Sequence, residues 1–371
     1  MERTGSSRGT GSSRGAGSSR GTGCTGTAGS AGRTRRTCVA GRSSIAPRPG
    51  SPAPPRGPAL RRLAAACVAA LALAGIGVVV GFRAADSDGV TPVPQLLAFL
   101  PWLSVPTALA LLLAVAARWR TGMVWGALTL AVLGWFVLHQ GERQPEGGPG
   151  AGPVTARLRV LTSNVEFGGA TDGLLTAIRR ERPDIVFVEE CEYRCSAALL
   201  DAGYPYHRAV ASAGSRGSLI LSRHPLRGAP GVRATMGMPG AVADVGGTDI
   251  RLQLAHPMPP LPDQLDVWRR ELGRLAALAE KETGPLVMAG DFNASADHAA
   301  FRSLLAAGRL RDGARLSGSP RTASWPARTA SVFGAQIDHV LVSGGLDAHG
   351  ARFLGLPDTD HRALVMDLTL R

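Results

Sequence analysis

The C-terminal part of this sequence lacks the surplus of positive charge that nucleic-acid-binding proteins usually carry. The chain has 371 residues and a net charge of +13. Residues 151–371 hold 25 basic and 23 acidic residues, whereas residues 1–150 hold 16 and 5, so most of the surplus lies in the N-terminal part. Non-specific affinity for nucleic acid comes mainly from clustered Lys and Arg. The near-neutral C-terminal part therefore argues against binding of a polyanion through charge.

Cysteine is also scarce, with five in the chain and only Cys191 and Cys195 after residue 150. Four residues apart in a helix, their Cα atoms would lie about 6 Å from each other, which permits a local disulfide. Two free thiols are the alternative. Because no further Cys/His pairs occur at ligand spacing, the sequence does not predict a zinc site.

The first 57 residues have almost no apolar side chains to bury. They consist largely of Gly, Ser, Thr and Arg, and a six-residue repeat starts at Gly5, Gly11 and Gly17. A segment that cannot form a packed core is predicted to be disordered. We assign no chemistry to this tail.

Charge is absent from three apolar runs at 63–82, 96–117 and 122–138. Their lengths approach that of a membrane span, so residues 58–139 are predicted to form a three-helix transmembrane anchor. Pro101 and Pro106 predict a kink in the second run. Removal of the first run as a signal peptide is the alternative, but two further runs follow and no cleavage site is obvious.

The loops between these runs predict an orientation. Arg118 and Arg120 lie between the second and third runs, and the N-terminal tail is rich in arginine, whereas Asp86 and Asp88 lie between the first and second. By the positive-inside rule, the N-terminus is predicted in the cytoplasm of a multi-pass membrane protein. Three spans would place a flexible linker at 140–155 and a domain at 156–371 on the extracellular side.

Within 156–371, polar side chains stand at the ends of six predicted strands or turns. An α/β protein with polar groups at strand ends usually forms a pocket there, although each residue alone often only caps a turn. The residues are Asn164, Glu190 beside Glu189, His256, Asp291 with Asn293, Asp338, and Asp360 with His361.

The stretch Gly290-Asp291-Phe292-Asn293 is the most informative of these. A carboxylate can orient a water molecule or accept its proton, and an amide can donate to developing negative charge. Alternation along a strand would place Asp291 and Asn293 on the same side. An Asx turn after a buried strand is the structural alternative.

Taken in order, these motifs resemble the endonuclease/exonuclease/phosphatase superfamily of DNase I-like metal-dependent phosphoesterases. The similar elements are Asn164, PDIVFVEE, the His256 turn, GDFNA, IDHVLVS and TDHRAL. The resemblance implies an α/β fold, a four-layer α/β/β/α sandwich over 156–371, and a Mg²⁺ or Mn²⁺ cofactor. Oxygen ligands suit these hard cations independently of the resemblance.

The resemblance also implies roles for individual residues. Glu190 would bind the metal, with Asn164 and Asp360 at the metal site, and Glu189 stands where the family often has Gln. Asp291 would activate water, while Asn293 and His256 would contact phosphate. His361 and Asp338 resemble the family's His–Asp pair. No carboxylate partner for His256 is evident from the sequence.

The three apolar runs and the His256-Pro257-Met258-Pro259-Pro260 turn resemble the membrane proteins of actinomycete teicoplanin resistance. That resemblance implies hydrolysis of undecaprenyl pyrophosphate at the outer membrane face, with no obligate protein partner evident. A tethered surface endonuclease is the second reading, a phospholipid phosphodiesterase the third, and a non-catalytic binding module the last. Arg216 and Arg223 are candidate diphosphate contacts, with solvated surface arginines as the alternative.

Overall fold

A computed structural model describes residues 56–139 and 152–371, which lie in one compact unit. Almost all of the predicted tail (1–57) and most of the predicted linker (140–155) lie outside the described residues. The disorder expected there therefore stays a prediction.

The N-terminal described region is a group of apolar helices. They are α1 (Arg56–Ala84), α2 (Val93–Ala98), a 3-10 turn (Leu100–Leu103), α3 (Ser104–Ala116) and α4 (Arg120–Leu138). Two stretches, Gly57–Ala84 and Arg120–Leu138, are long and apolar enough to cross a membrane by length and composition. The apolar helix Leu100–Ala116 is shorter than that. A third span therefore stays a prediction.

The second predicted span, 96–117, is interrupted near Pro101, where the sequence predicts a kink, and is not one continuous helix. The chain leaves α2 at Phe99 and passes through the 3-10 turn before α3 starts. Pro101 and Pro106 lack the backbone N–H that a continuous helix needs, which favours the break. Leu97 and Leu100 are fully buried against Ile76, Val79 and Leu133, so this bent segment packs on α1 and α4.

The C-terminal region contains two six-stranded sheets. The first has the order β11-β12-β1-β2-β4-β3. Its strands are β1 (Ala156–Asn164), β2 (Ile185–Glu189), β3 (Tyr206–Val210), β4 (Ser218–Ser222), β11 (Leu346–Gly355) and β12 (Arg362–Leu370). Helices α5 (Thr171–Glu181) and α6 (Tyr193–Leu200) belong to this half.

The second sheet has the order β5-β6-β7-β8-β10-β9. Its strands are β5 (Leu226–Ala229), β6 (Gly240–Val245), β7 (Thr248–Ala255), β8 (Leu286–Asp291), β9 (Arg311–Asp312) and β10 (Asp338–Val342). Helices α7 (Leu265–Lys281), α8 (Ala299–Ala307) and α9 (Gly313–Leu316) accompany it.

Three apolar clusters hold these layers together. One lies between the sheets and includes Phe187, Leu252 and Val340. A second joins the first sheet to α5 and α6, and a third joins the second sheet to α7 and α8. The predicted four-layer α/β/β/α arrangement is therefore confirmed for the two-sheet domain.

Each sheet contains one parallel pair, β1 with β2 and β7 with β8. Parallel strands end at the same edge of a sheet, so Asn164 pairs with Glu189, and the end of β7 lies beside the end of β8. Antiparallel β10 starts there too, because Asp338 is the register partner of Asp291. The topology thus brings chemically active residues of both sheets to one edge.

Residues 83–105, which we call the docking segment, contact the two-sheet domain. Arg83 Nε lies 3.2 Å from Asp297 Oδ1, and Asp86 pairs with Arg302. Buried Asp88 accepts a hydrogen bond from the backbone N–H of Ala300 at 2.7 Å, in the first turn of α8. A carboxylate there satisfies a free N–H and favours the positive end of the helix dipole. The docking segment therefore caps a helix of the other region.

Cys191 and Cys195 form a disulfide, with their Cα atoms 5.2 Å apart. Of the two alternatives that the sequence left open, the local disulfide is confirmed. Cys195 lies in α6 and both residues are buried in the cluster beneath α5 and α6.

Candidate active site

The site lies where strands of both sheets end. The structure brings together seven of the residues singled out in the sequence, with an eighth, Asn293, at its margin. The seven are Asn164, Glu190, His256, Asp291, Asp338, Asp360 and His361.

Asp291 is the last residue of β8 and is almost fully buried. Its Oδ1 accepts the backbone N–H of Asn293 at 2.8 Å, which is an Asx turn. Its Oδ2 accepts from Asn164 Nδ2 at 3.2 Å and lies 3.8 Å from His361 Nε2. Asp291 therefore forms an Asx turn through Oδ1 and contacts the other site residues through Oδ2.

Asp338 and His361 form a buried pair. His361 Nδ1 donates to Asp338 Oδ2 at 2.9 Å. Burial alone would lower the pKa of His361, but the carboxylates of Asp338 and Asp291 outweigh it and raise this pKa to about 10. Burial raises the pKa of Asp291 to about 7, partly offset by His361. The imidazole is thus protonated at neutral pH, with Asp291 poised to exchange a proton in that range.

The two consecutive glutamates at the end of β2 have different environments. Along a strand only one of two consecutive side chains lies on a given face, yet both of these side chains are largely withheld from solvent. Glu189 is fully buried and accepts from Thr162 Oγ1 at 3.1 Å, and burial raises its pKa well above the usual range. Glu190 has a left-handed backbone (φ 57°), and this turns its side chain into the site as well.

Glu190 is held by two N–H donors. Asn164 Nδ2 donates to its Oε1 at 3.3 Å, and the backbone N–H of Phe167 donates to its Oε2 at 3.3 Å. Its side chain keeps only 15 % exposure, and burial raises its pKa. Asn164 thus bridges Glu190 and Asp291 through its amide nitrogen, while its Oδ1 accepts from the N–H of Glu166 at 3.0 Å.

His256 follows β7 and is almost fully buried. Its Nε2 lies 3.9 Å from Glu190 Oε1, which is too long for a hydrogen bond. Its Nδ1 has no hydrogen-bond partner among the described residues. Burial and the nearby His361 lower the pKa of His256 to about 3, so this imidazole is neutral. The carboxylate of Glu190, which the sequence did not suggest as a partner for His256, therefore lies beside this imidazole without a hydrogen bond to it.

Asn293 lies outside β8 with a left-handed backbone (φ 48°), so strand alternation does not position it as predicted. Its Nδ2 donates to the carbonyl of Pro257 at 3.1 Å, beside His256. The same loop is fixed by buried Glu271 of α7, which accepts the N–H of Met258 at 2.7 Å. Glu271 lies in an amphipathic helix, and nothing in its sequence position predicts this contact.

Asp360 lies at the exposed side of the cluster. Its Oδ1 is 3.8 Å from His361 Nε2, and its Oδ2 accepts from Trp325 Nε1 at 2.8 Å. Sequence reasoning missed Trp325 because it lies in a loop with no strand or helix pattern around it. It also missed Ser324, whose Oγ accepts the backbone N–H of Asp338 at 3.0 Å.

The two candidate arginines differ in position. Arg223 follows β4 at the end far from the site, where its Nε donates to Pro183 O at 3.1 Å and its guanidinium lies 5.2 Å from the Tyr204 ring centre. Its prediction as a phosphate contact is wrong, because Ser218, not Ser222, pairs with Glu189. Arg216 is exposed near the site end of β4, and its role stays a prediction.

The sequence profile of the endonuclease/exonuclease/phosphatase family matches residues 161–361, more than half of the chain. The chain belongs to this family. It therefore carries a hydrolase domain of the phosphoesterase and nuclease type, in which metal dependence is general. No curated protein matches the chain.

The chain is also similar, at low sequence identity, to several solved structures. An endonuclease/exonuclease/phosphatase from Beutenbergia cavernae is 20 % identical, with a TM-score of 0.48 over 58 % of this chain and 72 % of that one. Sphingomyelinase C from Streptomyces griseocarneus is 15 % identical, with a TM-score of 0.44 over 58 % and 100 %. TDP2 from D. rerio, complexed with single-strand DNA product, is 15 % identical, with a TM-score of 0.49 over 57 % and 99 %.

The donor set of this family member fits a hard divalent cation. Glu190 and Asp360 offer carboxylate oxygens, and burial raises the pKa of Glu190, an environment in which a bound cation would stabilise its charge. Asp291, Asp338 and His361 also offer ligand atoms within 4.8 Å of one another. The protonated imidazole of His361 has no free lone pair, however, so the set around Glu190 is the better candidate.

Proposed function

We propose that this protein is a membrane-anchored, Mg²⁺- or Mn²⁺-dependent phosphoesterase that hydrolyses a lipid-linked phosphate, specifically undecaprenyl pyrophosphate. The observation that carries this proposal is the docking of the apolar helices on the domain that holds the site. Asp88 caps α8, and Asp297 receives both Arg83 at 3.2 Å and Arg321 at 2.8 Å. Apolar helices that are joined to the domain in this way would hold the catalytic residues at a fixed position relative to a bilayer.

The outer surface of the helices supports a membrane location. Only 22 % of the most apolar window is buried in each of the two long helices. Large apolar side chains are exposed along the helices, for example Leu71 (76 %), Leu112 (63 %) and Val124 (61 %). A contiguous apolar surface of this kind suits lipid better than water. We further propose the orientation that the arginines predict, with the N-terminus in the cytoplasm and the active site outside.

A cleft with apolar residues on both walls lies between the two regions. It has a volume of about 510 Å³ and is lined by Pro101, Trp102 and Val105 of the docking segment. On the domain side it is lined by Ala296, which follows the Asn293 turn, and by Val332. The cleft adds apolar surface beside the membrane helices, and none of the eight candidate site residues lines it.

In this proposal Glu190 and Asp360 would hold the cation, with Asn164 orienting Glu190. When bound, the cation would neutralise negative charge on the phosphate in the transition state. Asp291 orients a water molecule and takes its proton as the water oxygen bonds to phosphorus and the bond to the leaving oxygen breaks. Its pKa of about 7 matches a base that works near neutral pH.

The remaining residues would stabilise charge. The His361 imidazolium, fixed by Asp338, lies 3.8 Å from Asp291 Oδ2 and can pair with a phosphoryl oxygen beside the attacked phosphorus. His256 and Asn293 would also donate to phosphate oxygens. The neutral state of His256 leaves one ring N–H for such a bond.

The test is phosphate release from undecaprenyl pyrophosphate by the detergent-solubilised full chain with Mg²⁺. We expect turnover that Asp291→Ala and Asp291→Asn reduce by roughly 10²- to 10⁴-fold, the usual contribution of a general base. Asp249→Asn, at a surface pair with Arg227, is the matched control and should retain activity. Plasmid nicking and head-group release from phosphatidylcholine vesicles are measured in parallel.

The outcomes separate the alternatives. Lipid turnover without nicking supports the proposal. Nicking without lipid turnover would make the protein a tethered nuclease, and head-group release alone would make it a phospholipid phosphodiesterase. Either result would overturn undecaprenyl pyrophosphate as the substrate.

A further inference from the structure

Residues 323–327, which we call the bridging loop, connect two acids of the site. Ser324 Oγ accepts the backbone N–H groups of Ile337 at 2.9 Å and Asp338 at 3.0 Å. Trp325 Nε1 donates to Asp360 Oδ2 at 2.8 Å, and the N–H of Ala327 donates to the carbonyl of Asp360 at 2.6 Å. One short loop therefore fixes the backbone of Asp338 and both the backbone and side chain of Asp360.

The bridging loop is itself anchored. Trp325 and Ala335 exchange backbone hydrogen bonds of 3.0 and 2.8 Å. The guanidinium of Arg362, next to His361, donates to the carbonyls of Ala323 at 2.7 Å and Ala327 at 3.0 Å. These contacts hold the Trp325 backbone, so the position of its indole depends mainly on what its ring packs against.

On the side of the apolar helices, the docking segment contacts this loop and its neighbour. The ring of Phe99 lies 6.1 Å from that of Trp325 at 52°, and Trp102 stacks on Phe333 at 4.5 Å and 27°. Aromatic pairs at these separations are attractive beyond their buried area. The docking segment thus limits the movement of the indole that holds Asp360.

Asp360 needs such support because its own environment is open. Its side chain is 34 % exposed, and its nearest charged partner atom, His361 Nε2, is 3.8 Å away. An indole N–H only donates, so Trp325 engages one carboxylate oxygen and leaves Oδ1 directed at His361. Without that donor, the exposed carboxylate would be free to rotate.

We propose that Trp325 is a positioning residue for Asp360 and that Phe99 of the docking segment fixes Trp325, so that the apolar helices contribute to the active site rather than only tethering it. This inference rests on the proposed function in one respect, namely that Asp360 helps to hold the cation. It does not depend on which phosphate compound is the substrate.

The test compares two Trp→Phe variants of the full-length protein in detergent. Trp325→Phe keeps an aromatic ring against Phe99 but removes the N–H donor. Trp268→Phe is the matched control, because Trp268 is fully buried in α7 and its Nε1 has no hydrogen-bond partner among the described residues. Phe99→Leu removes the ring contact, and Asp360→Asn sets the size of the full effect. Mn²⁺ binding by calorimetry, Tm by thermal unfolding and hydrolysis of bis(p-nitrophenyl) phosphate are measured for each.

We expect Trp325→Phe to weaken Mn²⁺ binding by about 10- to 100-fold, the usual effect of removing a support of a metal ligand. Saturating metal should restore much of the turnover, which a loss of folding would not permit. Phe99→Leu should shift the affinity in the same direction by a smaller factor, and Trp268→Phe should leave it unchanged.

Two results would overturn this inference, and a third bears on the proposed function. Wild-type affinity in Trp325→Phe would show that the N–H does not position Asp360. Equal losses in Trp325→Phe and Trp268→Phe would show a general packing effect. If the wild-type protein binds no Mn²⁺, the proposed metal dependence itself fails, and this inference fails with it.

Discussion

At the scale of single residues, the Asp338–His361 pair determines the charge of the site. Asp338 is fully buried, and its Oδ2 receives the Nδ1–H of His361 at 2.9 Å. An amide in place of the carboxylate keeps the shape of the side chain but no longer stabilises the positive charge of the imidazolium. We expect Asp338→Asn to lower kcat by about 10²- to 10⁴-fold with little change in KM.

Steady-state kinetics on whichever substrate the wild-type protein turns over would measure this effect. Asp367→Asn is a suitable control, because Asp367 pairs with Arg159 at 2.7 Å on β1, outside the site cluster. A loss below tenfold in Asp338→Asn, or an equal loss in both variants, would contradict the role of the pair.

The residues of the site could be predicted to a large extent, but their individual contacts could not. Polar side chains at strand ends identified Asn164, Glu190, Asp291 and His361 because parallel strands end at a common edge. The direction of Glu190 depends on one left-handed backbone angle, which no periodicity encodes. The N–H that donates a hydrogen bond to Asp360 belongs to Trp325, which lies 35 positions earlier in a loop.

At the scale of secondary structure, β10 carries histidine–carboxylate pairs on both of its faces. Asp338 faces the site, whereas the next residue, His339, is buried and its Nδ1 lies 2.9 Å from Asp312 Oδ2 on β9. Its Nε2 lies 3.0 Å from the carbonyl of Ala294. Burial alone would lower the pKa of His339, but the Asp312 carboxylate and these hydrogen bonds reverse this and raise the pKa above its usual value.

The raised pKa predicts how stability changes with pH. A histidine with a pKa higher in the folded than in the unfolded state stabilises fully below the unfolded value, about 6.5, and loses this contribution as pH rises through the folded value. In Asp312→Asn the charge is lost, while the cap on Ala314 N–H (3.0 Å) can persist through an amide oxygen. We expect the free energy of unfolding of the wild-type protein to exceed that of Asp312→Asn by about 1.5–3 kcal/mol at pH 6. This difference should become smaller at each higher pH.

Chemical denaturation of both proteins between pH 5.5 and 9 would test this prediction. The other buried histidines are common to both proteins, so their titration cancels in the difference. A difference that stays constant or grows with pH would show that His339 is neutral in the folded protein.

Long buried elements were predictable, whereas edge strands were not. Strands β2, β4 and β8 are continuous apolar runs, and α7 has apolar residues at helical spacing, so each of these elements has a clear signal in the sequence. In β3 all five residues are exposed, and β5 has only four residues. Such edge strands are defined by backbone pairing to a neighbour, and this leaves little signal in the side chains.

At the scale of the whole molecule, the buried acid Asp297 joins the apolar helices to the two-sheet domain. Asp297 is fully buried and receives Arg83 of α1 on one oxygen and Arg321, which follows α9, on the other. Arg83 and Arg321 are themselves only 10 % and 22 % exposed. The contact could not be predicted, because its partners lie more than 200 residues apart and in regions of different composition.

Loss of this acid should therefore destabilise the protein more than loss of a surface acid. Asp297→Asn leaves two mostly buried guanidinium groups without a compensating charge at this position, and breaking a buried pair in this way costs about 3–5 kcal/mol. We expect the variant to unfold several degrees lower in detergent, since about 1 kcal/mol shifts Tm by roughly 2–4 °C in domains of 150–250 residues. Asp249→Asn, whose partner Arg227 is exposed, should retain the wild-type Tm. Equal Tm values for the two variants would show that the helices and the two-sheet domain are not held together through Asp297.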